Sequence, residues 1–269
     1  MKKTILTGKA EVNYEVVGNG KPVMLVHGFG EDSRVWDIQV KTLKNKFLLI
    51  IPDLPGSGHS SLLSKTSMES LAECLKEILD KEHISTISMI GHSMGGYVTL
   101  AFAEKYPDVL NAFGLFHSTA FPDNDEKKEA RRKSIVFMKQ HGAAKFIEQS
   151  VPNLFSPTTK EYNSQLIDDF TAQNTNFSVE ALVSYYEAMI ERPDRTAILK
   201  NARVPVMFIM GRHDKAIPLE QSLQQSHFPE ISHVLILENS GHQGMLEEPE
   251  KSTAFLEKFL TENEIVRPD

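Results

Sequence analysis

Six stretches of this chain, residues 22–26, 47–51, 87–90, 112–116, 204–210 and 234–237, run for four to seven residues without alternating and are apolar except for Ser88. A strand that faces water on one side alternates with period two. A continuous short run suits a strand covered on both faces, which is the habit of parallel sheets. Residues 11–17 do alternate and read as an antiparallel strand before the first parallel one. Helical patterns lie between the runs, at 67–81, 93–106, 218–226 and 248–260. In the first of these, Met68, Leu71, Leu75, Ile78 and Leu79 share one face. Strands alternating with helices predict an α/β fold: a mostly parallel sheet with helices on both faces.

The alternation breaks once. Between 121 and 200 there is no buried-strand pattern, only four predicted helices at 125–141, 143–150, 158–173 and 178–191, separated by Pro152, Pro157 and Pro193. Four helices between two sheet strands read as an inserted helical lid, so the expected organisation is a core over 1–120 and 201–269 with a lid over 121–200. Lys127, Lys128, Arg131, Arg132 and Lys133 are interleaved with Asp123, Asp125, Glu126 and Glu129, which reads as a solvated helix face rather than an anion-binding patch.

With 29 Lys and Arg against 36 Asp and Glu, the formal charge is −7. That balance argues against a nucleic-acid partner, which needs a basic face. The apolar fraction of 41% is enough for a packed core. A single cysteine, Cys74, excludes an internal disulfide. Lys2 and Lys3 precede an apolar run of only Ile5-Leu6, too short for a signal peptide, and no run approaches the roughly 20 residues of a membrane span. The expectation is a cytoplasmic protein with no membrane partner; oligomeric state is not legible.

The run 87–90 leads directly into Gly91-His92-Ser93-Met94-Gly95-Gly96, and a helical pattern begins at once. This is G-x-S-x-G in strand–turn–helix context, a turn sharp enough to strain the serine backbone and project its hydroxyl above the sheet. The flanking glycines leave space where side chains would collide. The alternative, that Ser93 simply caps a helix, does not explain the glycines on both sides. A serine needs a base, and the base needs an orienting acid. Asp214 follows the strand at 204–210 and His242 the strand at 234–237, both past carboxyl ends, where open α/β sheets build their sites. The order Ser93, Asp214, His242 is the one that accompanies such an elbow. Asp123 and Asp194 are alternative acids, and His213 is a rival base. His92 reads as a packing neighbour, and His117, at the end of the strand 112–116, could face a pocket.

Gly28-Phe29-Gly30 follows the strand at 22–26, but Ser33 at the last position breaks the dinucleotide pattern G-x-G-x-x-G. The segment instead suits an oxyanion loop, with the backbone amide of Phe29 paired with that of Met94. Phe137, Met138, Phe146, Leu154, Phe155, Tyr185 and Met189 are the lid candidates for pocket walls. At helical spacing such residues also serve as internal packing. No His, Asp or Cys cluster has metal-ligand spacing, and no metal or organic cofactor is expected.

Taken in order, His27-Gly28-Phe29-Gly30, Pro52-Asp53-Leu54-Pro55-Gly56-Ser57-Gly58-His59-Ser60, the elbow around Ser93, the 211–218 segment and Ser240-Gly241-His242 resemble the α/β-hydrolase superfamily over nearly the whole chain. Within it the chain is similar to lid-bearing carboxylesterases, enol-lactonases and cofactor-free haloperoxidase-like enzymes. The resemblance implies an eight-stranded sheet and a serine hydrolase that cleaves a small or medium ester through an acyl-enzyme on Ser93. Serine at the elbow excludes haloalkane dehalogenases and epoxide hydrolases, which carry aspartate there. Enol-lactone, thioester or carbon–carbon bond hydrolysis on the same triad, and a small-molecule sensor with a retained triad, share these motifs.

Overall fold

The computed structural model describes residues 1–7 and 10–262. Its eight strands are β1 (Lys2–Thr7), β2 (Ala10–Val17), β3 (Lys21–Val26), β4 (Phe47–Pro52), β5 (Ile87–His92), β6 (Leu110–Phe116), β7 (Val206–Gly211) and β8 (Ser232–Leu237). They form one sheet in the order β1-β2-β4-β3-β5-β6-β7-β8. The β1–β2 and β2–β4 pairs are antiparallel and every other pair is parallel. The sheet is the eight-stranded, mostly parallel one expected. Seven of its strands carry a hydropathy signal. The eighth, β1, is an edge strand of Lys-Lys-Thr-Ile-Leu-Thr with little buried side chain, which hides it from an apolar-run reading.

Between β3 and β5 lie α1 (Asp37–Leu43) and α2 (Met68–Lys81), and α3 (Met94–Lys105) follows β5. After β7 come α10 (Leu219–Ser226), then α11 (Gly244–Glu247) and α12 (Pro249–Glu262) beyond β8. Consecutive residues of β3 point into different cores. Met24 and Val26 pack with Leu71 and Leu75 of α2 and Val98 of α3. Val23 and Leu25 pack with Leu43 of α1 and Phe259 of α12. This two-sided burial is why the strand sequences do not alternate. No helix among the described residues is long and apolar enough to cross a membrane.

From 121 to 200 the described chain is helical: α4 (Asp125–His141), α5 (Ala143–Ser150), α6 (Pro157–Tyr162), α7 (Ser164–Gln173), α8 (Val179–Glu191) and α9 (Thr196–Lys200). The stretch read as one helix over 158–173 is two. Asn163, at φ −149° and ψ 51°, ends α6 and opens α7. Asparagine favours such junctions because its side chain competes with the helical backbone. The segment leaves from the end of β6 and returns to β7, its immediate parallel neighbour in the sheet.

Candidate active site

The elbow between β5 and α3 has the strain its sequence announces. Ser93 sits at φ 50° and ψ −115°, a conformation that L-residues avoid. The glycines two residues before and after it cannot carry a side chain: a Cβ on Gly91 would lie 2.3 Å from the Gly95 carbonyl oxygen, and one on Gly95 2.4 Å from that of Val26. The Ser93 amide donates to Phe116 O at 2.9 Å, locking the turn to the end of β6.

Ser93 Oγ is 2.8 Å from His242 Nε2. His242 Nδ1 is 2.8 Å from Asp214 Oδ2. The other carboxylate oxygen, Oδ1, accepts the Ala216 and Ile217 amides at 2.8 and 2.9 Å. The two aspartate oxygens therefore have separate tasks: one fixes the carboxylate, the other faces the histidine. The rival residues lie elsewhere. Asp123 is bound to Arg131 and Arg192, Asp194 caps the Thr196 amide, and the His213 side chain is exposed.

His117 is not a cavity wall. It is fully buried and also donates from Nδ1 to Asp214 Oδ2, at 3.1 Å, while its Nε2 accepts from the Gly244 amide at 3.2 Å. Burial pushes its pKa down and prevails over the pull of Asp214, so it is a neutral donor. Burial pushes the Asp214 carboxyl up, but the charge of His242 and the hydrogen bonds from both imidazoles outweigh it and hold Asp214 far below the usual carboxylate range. His117, Asp214 and His242 lie close enough to hold a metal ion. The Gly244 amide, however, donates to His117 Nε2, and the ionised Asp214 carboxylate can only accept from His242 Nδ1, which places the proton of each imidazole on Nδ1. Both rings then meet Asp214 as donors, not as ligands.

Two residues outside the expected site join it. Glu31 and His92 form a buried ion pair beside Ser93. Burial raises the Glu31 pKa, and the charge and hydrogen bond of His92 more than reverse that. Burial lowers the His92 pKa, and Glu31 raises it beyond its ordinary value. Glu31 also accepts from the Gly28 amide and, at 3.4 Å, from Gln243 Nε2. His92 Nε2 donates to the His242 carbonyl at 2.9 Å. One carboxylate thus ties together the segments that carry Phe29, Ser93 and His242. The signal for it was a charged residue directly after the 27–30 glycine segment. Trp36 packs edge-on against His92 and Phe116.

A cavity of about 110 Å³ adjoins Ser93, with Phe29, Arg131, Leu154, Tyr186 and Met189 among its walls. Leu154 and Met189 were expected there. Tyr185 points instead to the core, where its hydroxyl bonds Ser57 Oγ and Pro55 O. Phe146 stands behind the wall, edge-on to Phe29 and Tyr186. Phe155 packs on Phe170, Phe137 on His141, and Met138 is buried in the core. Among the described residues the Phe29 and Met94 amides donate to no protein acceptor.

The alpha/beta hydrolase fold family model matches residues 21–249. A thermophilic esterase from Thermogutta terrifontis, solved with malate bound, is 30% identical with a TM-score of 0.92, covering 98% of this chain and 99% of that one. The enol-lactonase of Burkholderia xenovorans LB400 has a TM-score of 0.89 at 22% identity over 96% of this chain and all of that one, a likeness of fold. A 2-hydroxy-6-oxo-2,4-heptadienoate hydrolase from Pseudomonas putida is 26% identical over 96% of this chain and 95% of its own.

Proposed function

Because the chain belongs to the alpha/beta hydrolase fold family, we propose that it is a serine hydrolase cleaving a short carboxylic ester through an acyl-enzyme on Ser93. The carrying observation is the unbroken hydrogen-bond chain from Ser93 Oγ through His242 to Asp214, with the Phe29 and Met94 amides unengaged. In this reading His242 Nε2 takes the Ser93 proton as Oγ attacks the ester carbon. The Phe29 and Met94 amides hold the oxygen that becomes negative. Asp214 keeps the imidazole proton on Nδ1 and stabilises the ring while it is charged. His242 returns the proton to the departing alcohol, then draws one from the water that attacks the acyl carbon and passes it to Ser93 Oγ as the acyl–Oγ bond breaks and the acid leaves.

The cavity supports a short acyl group, since common ligand pockets run to several hundred cubic ångströms. The segment 121–200 acts as the lid, because Arg131, Leu154, Tyr186 and Met189 of that segment face Ser93 across the cavity. The test is a fluorophosphonate probe together with multiple-turnover hydrolysis of short esters. Both are expected in the wild type and neither in Ser93→Ala. Labelling that survives the substitution, or a single turnover followed by a stable adduct, overturns the proposal.

A further inference from the structure

The charge run on α4 has one member that solvent does not claim. Arg131 keeps only 12% of its side chain exposed and lines the cavity beside Ser93. Its Nε donates to Asp123 Oδ2 at 2.6 Å, and its Nη2 reaches Oδ1 of the same residue at 3.5 Å. Asp123 is not its counter-ion alone. Arg192 donates to Asp123 Oδ1 at 2.9 Å, and Lys127 Nζ stands 4.0 Å from that oxygen. Two guanidiniums and an ammonium therefore share one fully buried carboxylate.

The other acids around the cavity are committed elsewhere. Glu31 is paired with His92, and Asp214 takes hydrogen bonds from His117 and His242. Arg192 is satisfied by Met189 O, Phe121 O and Asp123, and it stacks over Tyr97. Arg131 has no acceptor for Nη1 among the described residues. Its guanidinium lies 5.1 Å over the ring of Tyr186, which stacks at 4.3 Å on Phe29, and both rings line the cavity with Ser93. A buried cation in excess of its partners is costly, and a guanidinium matches a carboxylate in charge and shape.

We propose that Arg131 is the recognition residue for a carboxylate on the substrate, so that the ester hydrolysed at Ser93 is a short anionic one. The inference rests on the hydrolase reading and adds the charge of the substrate. Two kinds of ester carry that charge, one with the carboxylate on the acyl half and one with it on the alcohol half. Monomethyl succinate represents the first, with methyl butyrate as its neutral counterpart. O-acetylglycolate represents the second, with ethyl acetate as its counterpart.

In the wild type kcat/KM should favour the anionic member of at least one pair by about tenfold or more, and the pair that shows it assigns the half. Arg131→Gln should reduce that ratio by tenfold or more, and Arg131→Lys, which keeps charge without the planar fork, by less. Succinate should also raise the Tm of the wild type and not that of Arg131→Gln, a readout that needs no turnover. If neutral and anionic esters are hydrolysed equally in both pairs, the hydrolase reading stands and the anion site falls. If no ester is turned over, the hydrolase reading falls and the succinate titration alone decides the site. A succinate shift that persists in Arg131→Gln overturns the assignment. Should Arg131→Gln not fold, any reduction of the ratio and of the succinate shift in Arg131→Lys supports the proposal, and their full retention rejects it.

Discussion

Asp214→Asn tests the tautomer argument at a position where the geometry leaves the substituted amide little choice. Oδ1 of Asp214 accepts two backbone amides, from Ala216 and Ile217. An asparagine must keep its carbonyl oxygen there, because turning the NH2 toward two N–H donors would bury four unsatisfied hydrogens. Its NH2 therefore replaces Oδ2 and faces Nδ1 of both His242 and His117. Donor would meet donor, so His242 must move its proton to Nε2, the nitrogen that has to accept from Ser93. The expected result is a fall in kcat of about 10⁴, the size seen when a triad histidine is held in the wrong tautomer. That is about 5.4 kcal/mol of barrier at 1.36 kcal/mol per decade. Substrate affinity should change little, since Asp214 is buried behind the histidine. Single-turnover kinetics on a chromogenic short ester would measure both quantities. A loss under tenfold, with the fold intact, refutes the reasoning and leaves Asp214 as a structural anchor only.

Three further outcomes follow from packing and charge. Gly95→Ala should cost at least 1–3 kcal/mol in urea unfolding, because the new methyl meets the Val26 and His27 carbonyl oxygens at 2.4 and 2.5 Å; unchanged stability would mean the elbow can relax. Glu31→Ala, which strands a buried His92, is expected to cost about 3–5 kcal/mol and Glu31→Gln clearly less; equal and small losses would remove Glu31 as the tie between the three site segments. Burial raises the Asp123 pKa, but Arg192 and Arg131 overcome this and hold it at about 2. Its folded value lies below the unfolded one, so its contribution, on the order of 2 kcal/mol, is complete above about pH 4 and is lost as pH falls toward 2. Unfolding midpoints measured across that window should fall less steeply in Asp123→Asn, and an unaltered slope would contradict the assignment.

Ser93, Asp214 and His242 are readable from sequence because each sits within a few residues of a strand end, so local order alone brings them to one edge of the sheet. The cavity walls depend on how the helices of 121–200 dock, and a 3.6-residue period cannot give that direction. Tyr185 and Tyr186 show the difference. They are adjacent on α8, about 100° apart around the helix; the first turns to the core and the second to the cavity. Arg131 was concealed by the charges around it, although Lys127 and Arg131 are four residues apart on α4 and so share one face, and Asp123 stands just before the helix. The break at Asn163 was hidden for a similar reason, since the apolar period carries across it.

The segment 121–200 departs from and rejoins two strands that are hydrogen-bonded neighbours, with Phe113 opposite Val206. Closing a chain excursion costs entropy that grows only with the logarithm of its length, about 0.6 kcal/mol for each doubling. The sheet is therefore almost indifferent to how long that excursion is, provided its two ends stay where β6 and β7 put them. Insertions and deletions there are cheap, whereas the same changes between β5 and α3 would destroy the elbow. A lineage carrying this architecture can lengthen, shorten or replace one span of chain beside the cavity without disturbing Ser93, Asp214 or His242, which stand on other segments.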